Sequence, residues 1–238
     1  MNELEWHYQI LFEDKNLMVI NKLGYYPLQS NKKGEQGLLS VLRQRALIYE
    51  SASKIEHYQF PHRLDQPVTG AVILAKTQET LSKLNRMFQE RKIAKYYWAV
   101  TSRLPHPLEG ELVHYLVHHQ RINKTKAYWQ PVPKSQEAIL QYKYLFSSER
   151  YHFLEIRPLT GRHHQIRAQL AAIGAPIKGD IKYGAERSNP EGGIMLHAYQ
   201  IAFEHPIQRK YIQIKALPPQ GNVLWEYLLQ HLDFSHKK

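Results

Sequence analysis

The segment HRLDQPVTGAVILA, residues 62–75, joins a charged, polar loop directly to an apolar run of strand length. An apolar run of this kind predicts a buried strand. Asp65 lies on the loop, where a rigid scaffold can hold its carboxylate towards a cleft. An isolated Asp in a loop more often satisfies backbone donors in a turn. On this segment alone both interpretations stay open.

The segment TGRHHQIR, residues 160–167, predicts a turn that leads into a helix. Gly161 permits an unusual backbone angle before the helix, and Gly174 is well placed to end it. His164 and Arg167 are three residues apart and so share a face of that helix. A guanidinium there can pair bidentately with a carboxylate. The alternative is a solvated basic helix face.

The segment KYYWAV, residues 95–100, predicts a strand. Its alternation places Tyr97 on the opposite face from Tyr96 and Trp98. A tyrosine that faces a cleft can stack on a nucleic-acid base. Packing in the core is the alternative for the same ring.

The composition indicates a globular protein with a polyanionic partner. The 238 residues carry a net charge of +11, and the sequence pI is near 9.6. Such a basic excess favours polyanionic partners, because each neutralised phosphate releases condensed counterions. Charge alone does not distinguish RNA from DNA or from an acidic membrane surface. The absence of cysteine excludes disulfides and thiolate metal sites. No apolar run approaches the ~20 residues that span a bilayer, and the first residues lack a secretory pattern. We therefore expect a cytoplasmic protein.

Strand-like and helix-like segments are mixed without the steady β-α-β repeat of a doubly wound sheet. The patterns predict, in chain order, a hairpin over 8–22 around a turn at 13–16, a helix over 38–49, a strand over 71–75, a helix capped by Thr77, a strand over 96–102, a hairpin over 137–159 around a turn at 147–150, a helix over 163–174, a strand over 194–203 and a helix over 223–232. Residues 104–136 give no ordered prediction. The mixture favours the α+β class.

The three segments occur together, in order, with GAPIKGDIKYG at residues 174–184 and with a Leu196-His197-Ala198 run that leads to His205 and Pro206. This combination resembles the RluA family of RNA pseudouridine synthases. The similarity spans roughly residues 9 to 206, including the opening ILFEDKNLMVINK. The chain departs from the family pattern at Leu23, Val68 and His163. These departures bear on which RNA is recognised.

The resemblance implies a mixed, largely antiparallel central sheet flanked by helices, without an N-terminal accessory RNA-binding domain. Residues 1–238 are then one catalytic domain. It implies that a specific uridine of structured ribosomal or transfer RNA is flipped out and isomerised to pseudouridine. No cofactor and no metal is expected. Asp65 corresponds to the catalytic carboxylate, Arg167 to its ionic partner, and Tyr97 to the ring that stacks on uracil and can remove its ring proton.

Further residues are expected to contact the substrate, by the resemblance or by their position beside Asp65 and Arg167. They are His62, Arg63, Arg162, His164 and Leu196. Arg63 is two residues from the acid, where it can fill the vacated stack or grip a neighbouring phosphate. RNA is the expected partner, and neither a membrane nor an obligate protein partner is expected.

Two other classes compete with this interpretation. A protein that only binds RNA would show the same charge and aromatic content, but binding alone does not require an acid facing phosphates. A glycoside hydrolase would need a second carboxylate, and none is evident beside Asp65. The stretch with His118, His119, Arg121, Lys124 and Lys126 is either a further RNA-binding surface or a solvated loop.

Overall fold

The computed structural model describes residues 8–30, 35–48 and 51–232. The chain packs as two compact units. The first unit contains the described residues up to Lys95 together with Ala198–Ala216. The second unit contains Tyr96–His197 together with the described residues from Leu217 onwards. No helix in the described ranges is long and apolar enough to cross a bilayer.

The strands and helices follow one another along the chain in an irregular alternation. They are β1 (Tyr8–Glu13), β2 (Leu17–Lys22), α1 (Leu38–Ala46), α2 (Ala52–Ile55), β3 (Thr69–Ala75), α3 (Gln78–Gln89), β4 (Ala94–Thr101), β5 (Glu109–His119), β6 (Lys124–Tyr128), β7 (Gln136–Ser147), β8 (His152–Pro158), α4 (Gln165–Ala172), β9 (Leu196–Glu204), β10 (Tyr211–Lys215) and α5 (Val223–His231).

In the first unit the strands lie in the order β1-β2-β3-β9, with β10 beside β9. The pairs β1–β2, β2–β3 and β9–β10 are antiparallel. β2 and β3 are buried along their whole lengths, as their continuous apolar sequences predict. Helix α3 covers them through Leu81 and Leu84, with Met87 and Phe88 at the margin. The predicted cap is confirmed, because Thr77 Oγ1 accepts from the Thr80 N–H at 3.2 Å.

In the second unit the strand order is β4-β8-β7-β5-β6. The predicted hairpin over 137–159 is confirmed as β7 and β8. The stretch 104–136, which the sequence pattern did not order, supplies all of β5 and β6, joined by a 3-10 turn at Gln120–Ile122. Helix α4 packs on this sheet through Ala168, against Leu116 and Ala138. Gly174 follows it with a φ of +79°, as predicted for a helix terminator.

The predicted α+β class, with a largely antiparallel sheet flanked by helices, is confirmed. Besides β5 and β6, the elements α2 and β10 were not predicted. α2 is a single short turn of helix, and β10 is a five-residue strand without a fully buried residue. The helix predicted over 38–49 ends at Ala46, and residue 49 lies outside the described residues. The prediction of one catalytic domain over residues 1–238 stays a prediction.

Candidate active site

Asp65 lies on the loop between α2 and β3, in the first unit, and its side chain is half-buried. A turn follows it, because the Val68 N–H donates to the Asp65 carbonyl oxygen at 3.0 Å. The chain then enters β3, which is fully buried. The carboxylate is therefore carried by a short loop fixed at one end to the core of this unit.

Lys22 is the residue that fixes this loop from the other side. It ends β2 and is 0% exposed. Its ammonium donates to three backbone carbonyls, those of Gly24 at 2.8 Å, Tyr26 at 3.2 Å and Gln66 at 2.9 Å. Burial lowers the pKa of Lys22 to about 7, although the charge of Asp65 opposes the change. A buried lysine that titrates near neutral pH thus faces the Asp65 loop within the first unit.

Gly70 follows the loop at a position where the neighbouring backbone leaves no room for a side chain. It has a φ of +118°, and a Cβ added there would lie 2.4 Å from the carbonyl oxygen of Ala198 on β9. No side chain fits that approach without moving the backbone. Gly70 also pairs with Lys22 in the β2–β3 register. The glycine therefore lets β3 and β9 approach closely beside the lysine that holds the Asp65 loop.

His62 attaches the beginning of the same loop to β3. Its Nε2 accepts from the Ile73 N–H at 2.9 Å, and its ring packs on Phe88 with centroids 4.7 Å apart. Burial, with a smaller contribution from the charge of Lys95, lowers the pKa of His62 to about 3. The ring is therefore neutral near pH 7. Arg63, the next residue, is exposed. Substrate contact by His62 and Arg63 stays a prediction.

In the second unit Arg167 forms a buried ion pair with Asp180. Its Nε lies 2.7 Å from Asp180 Oδ2 and one terminal nitrogen 2.9 Å from Oδ1, a bidentate geometry. The two side chains are 5% and 2% exposed. The bidentate carboxylate expected for this guanidinium is thus supplied within the unit by Asp180. The pairing of Arg167 with Asp65 stays a prediction.

Tyr183 connects Arg167 to the beginning of α4. The guanidinium lies 5.0 Å from the Tyr183 ring centroid. The Tyr183 hydroxyl accepts from the Thr125 N–H at 2.8 Å and lies 2.9 Å from His164 Nδ1. His164 is buried and precedes α4 with a φ of +51°, in the left-handed region. It is held by these contacts in a backbone conformation that side chains rarely adopt.

Gln165 shapes the turn that carries Arg162. Its Oε1 accepts from the Arg162 N–H at 2.9 Å and from the Thr160 hydroxyl at 2.7 Å. The exposed Arg162 side chain donates through Nε to the carbonyl oxygen of Glu137 at 3.0 Å. The unusual backbone angle predicted at Gly161 is instead found at His164, since Gly161 is not among the described glycines with a positive φ. Arg162 is therefore held on the surface of the second unit, and its contact with substrate stays a prediction.

Tyr97 and Leu196 are buried side chains of the second unit. Tyr97 lies in β4, where it pairs with Ile156 of β8, and is 7% exposed. Leu196 begins β9 and is 3% exposed. The strand predicted over 96–102 is confirmed by β4. The stacking role of Tyr97 and the packing role of Leu196 stay predictions.

The predicted catalytic residues are divided between the units. Asp65 belongs to the first unit, and Tyr97 and Arg167 belong to the second. Sequence reasoning missed Lys22 and Asp180. Lys22 could have been found as a charged residue that continues the apolar strand LMVIN, and Asp180 as an acid inside the GAPIKGDIKYG motif. Among residues 8–30, 35–48 and 51–232, no three His, Cys, Asp or Glu side chains group as metal ligands.

Comparison with known proteins gives a consistent set of similarities. The family model described as RNA pseudouridylate synthase matches residues 16–172. An uncharacterized RNA pseudouridine synthase of Mycoplasma genitalium is 31% identical over 214 residues, which are 87% of this chain and 66% of that protein. Ribosomal large subunit pseudouridine synthase C of Rickettsia felis is 33% identical over 220 residues, 88% of this chain and 67% of that protein. The chain spans about two thirds of the length of these two relatives.

A solved structure shares the fold over nearly the whole chain. Human RNA Pseudouridylate Synthase Domain Containing 4 matches with a TM-score of 0.74 and 25% sequence identity. The match covers 94% of this chain and 92% of that chain. Most of the described elements therefore have counterparts in that structure.

Proposed function

Because the chain belongs to the RNA pseudouridylate synthase family, we propose that it acts as a single catalytic domain that converts a specific uridine of structured ribosomal or transfer RNA to pseudouridine. Asp65 is the catalytic carboxylate and acts after the uridine has been flipped out of its stack. The family match carries the proposal. It begins at residue 16, so it includes both Lys22 and the Asp65 loop, and it continues through Arg167.

The reaction is an isomerisation and needs no oxidant or added group. The bond from the ribose C1′ to uracil N1 breaks, the base turns, and a new bond forms from C1′ to uracil C5. The proton on C5 is lost and N1 gains one, so atoms and electrons balance. The enzyme must therefore supply a carboxylate at the sugar or base and a water-poor place for the detached uracil.

The surroundings of Asp65 in the first unit support its role. Its loop is fixed at one end by His62 and at the other by Lys22, so the backbone that carries the carboxylate is held on both sides. The charge of Asp65 acts on the buried ammonium of Lys22 and opposes the lowering of the Lys22 pKa, so the two groups interact within this unit. An ionised carboxylate is the form required either for attack on carbon or for proton abstraction.

Arg167 and Tyr97 are proposed to complete the reaction centre. Arg167 stabilises the charge of the reacting carboxylate, and Asp180 orients the guanidinium for that purpose. Tyr97 stacks on the uracil and takes the proton from C5. Leu196 packs beside the base. Flipping a base costs a few kcal/mol. Contacts of the RNA with Arg63 and His62 on the Asp65 loop offset this cost. Contacts with Arg162 and His164 near α4 do the same.

The proposal is tested by incubating the purified protein with uridine-containing ribosomal and transfer RNA transcripts. Pseudouridine at a defined position, with no change in RNA mass, is the expected product. Unchanged RNA would identify a binding protein, and release of free uracil would identify a glycosidase; either result refutes the proposal. Pseudouridine mapping in cells with and without the protein then identifies the target nucleotide.

A further inference from the structure

A groove of about 450 Å³ lies in the second unit beside strand β6 and helix α4. β6 ends the strand order of this unit. α4 contributes three alanines to the lining, Ala168, Ala171 and Ala172, and their small side chains leave the space open. Neither Tyr97 nor Arg167 lines it. The groove is therefore lined by side chains other than those assigned to the reaction in this unit.

The floor of the groove is apolar and is large enough for a nucleotide. Ala127 of β6 lies beside the alanines of α4, and Ile122, which is 62% exposed, forms one side. Ligand sites commonly measure about 300–1,000 Å³ and combine apolar walls with a few polar groups. An exposed isoleucine next to such a floor offers apolar area that a flat base can cover.

The margin of the groove is cationic. Lys124, Lys126 and His119 line it, and no Asp or Glu is among the described lining residues. Arg121 is exposed on the adjoining 3-10 turn. The two lysines are two residues apart on one strand, so their backbone positions are about 6.6 Å apart, close to the spacing of neighbouring phosphates in an extended nucleic-acid strand. The margin therefore complements a chain that carries regularly spaced negative charges.

Tyr183 lines the groove and also contacts His164 at the beginning of α4. Its ring carries the Lys124 ammonium at 5.4 Å and the Arg167 guanidinium at 5.0 Å, and its hydroxyl accepts from the Thr125 N–H. The carboxylate whose charge acts on Tyr183, that of Asp180, is already paired with Arg167. A ligand in the groove therefore meets positive charge on the same side of the unit as the beginning of α4.

We infer that this groove binds a single-stranded segment of the substrate RNA, with bases over the alanine floor and phosphates against Lys124 and Lys126. The inference rests on the proposed function. A single-stranded RNA carries a negative charge on every nucleotide and presents flat bases, so it matches both the cationic margin and the apolar floor of the groove. An acidic peptide would match only the cationic margin.

The experiment measures binding of a fluorescein-labelled oligouridylate about 12 nucleotides long to the full chain, by anisotropy over a range of salt. Lys126→Glu alters the margin, and Lys143→Glu on β7 is the control, since it makes the same charge change at an exposed lysine outside the lining. Ala172→Leu fills the floor without a charge change, and Ala52→Leu is its control on an exposed position of α2. Leucine is a good helix former, so both alanine variants should fold.

We expect Lys126→Glu to weaken binding about tenfold or more and to lower the salt dependence by about one released ion, with Lys143→Glu changing affinity less than about twofold. Ala172→Leu should weaken binding with an unchanged salt dependence. Equal effects of each variant and its control would overturn the inference. So would equally tight binding of uridine monophosphate, which identifies a free-nucleotide site, or of polyglutamate, which identifies a peptide site.

The failure of the inference and that of the proposed function can be told apart. Binding is measured without turnover, and Asp65→Asn protein should bind the oligouridylate as the wild type does. Groove-dependent binding by a wild type that forms no pseudouridine would refute the function and retain the groove. Pseudouridine formation by the wild type, with groove variants that bind like their controls, would retain the proposed function and refute the inference about the groove.

Discussion

The ammonium of Lys22 donates a hydrogen bond of 2.9 Å to the backbone carbonyl of Gln66, the residue directly after Asp65. The end of β2 therefore holds the peptide that carries the candidate catalytic acid. The same lysine is fully buried and pairs with Gly70 in the β2–β3 register. Lys22 therefore ends β2, holds the loop after Asp65 and pairs with the glycine at which β3 approaches β9.

Asp65→Asn is expected to abolish pseudouridine formation while leaving the fold and RNA affinity nearly unchanged. The amide is similar in size and can occupy the half-buried loop, but it can neither attack nor accept a proton as a carboxylate does. Turnover is measured on a transcript that the wild type modifies. Glu79→Gln, an exposed carboxamide change on α3, is the control. Retained activity in Asp65→Asn would refute the assignment.

Tyr97→Phe is expected to lower turnover by about 10²–10⁴-fold, the usual contribution of a group that transfers a proton. The ring remains, so packing in β4 and stacking on the base should persist. Tyr96→Phe is the control, because Tyr96 lies on the other face of the strand, where Arg157 covers its ring. A loss of the same size in both variants would indicate a structural effect on β4 instead.

The stability that Lys22 confers should rise with pH above about 7. Its pKa is lowered from 10.5 to about 7 in the folded protein, so between these values the unfolded chain binds more protons than the folded one. The unfolding free energy of the wild type minus that of Lys22→Met should therefore increase from pH 7 to pH 9, by at most about 1.4 kcal/mol per pH unit. Denaturant titrations at several pH values measure it, with Lys143→Met as the exposed control. A difference independent of pH would contradict the expected burial of the charge.

His62 should make the fold sensitive to acid. Its pKa is lowered from 6.5 to about 3 on folding, so below pH 6.5 the unfolded chain takes up a proton that the folded protein refuses, and stability falls as the pH falls. His62→Gln retains an acceptor for the Ile73 N–H but does not titrate, so its stability should decline less steeply between pH 6.5 and pH 4. His57→Gln changes an exposed histidine and serves as the control. Parallel curves for wild type and His62→Gln would exclude this source of acid sensitivity.

Asp180→Ala is expected to destabilise the protein by about 3–5 kcal/mol, because it leaves the Arg167 guanidinium buried without its bidentate partner. Turnover should also fall, since the guanidinium loses its orientation. Glu186→Ala removes the exposed partner of Arg103, where the ions are 3.6 Å apart, and should cost about 0–1 kcal/mol. Similar denaturation midpoints for the two variants would show that the buried pair contributes little.

Local patterns predicted the helices and strands whose apolar residues follow a clear period. β3, α3 and the β7–β8 hairpin lie where the sequence places them, because each buries one continuous run or stripe of apolar side chains. β5 and β6 were not ordered by sequence, because burial there does not follow polarity: β5 buries His114 and exposes Val113, and β6 buries Thr125. β10 was missed because it is only five residues long and none of its residues is fully buried. Its identity as a strand depends on pairing with β9.

The sequence by itself determined the family, because the order and spacing of HRLD, KYYWA and TGRHHQIR can be identified without any knowledge of contacts. It also placed Asp65 on a loop and Arg167 on a helix. Only the tertiary structure decided that Lys22 holds the Asp65 loop and that Asp180 pairs with Arg167. Partners distant along the chain are selected by burial: a charged group removed from water must find hydrogen bonds wherever the fold supplies them, and no local pattern records that choice.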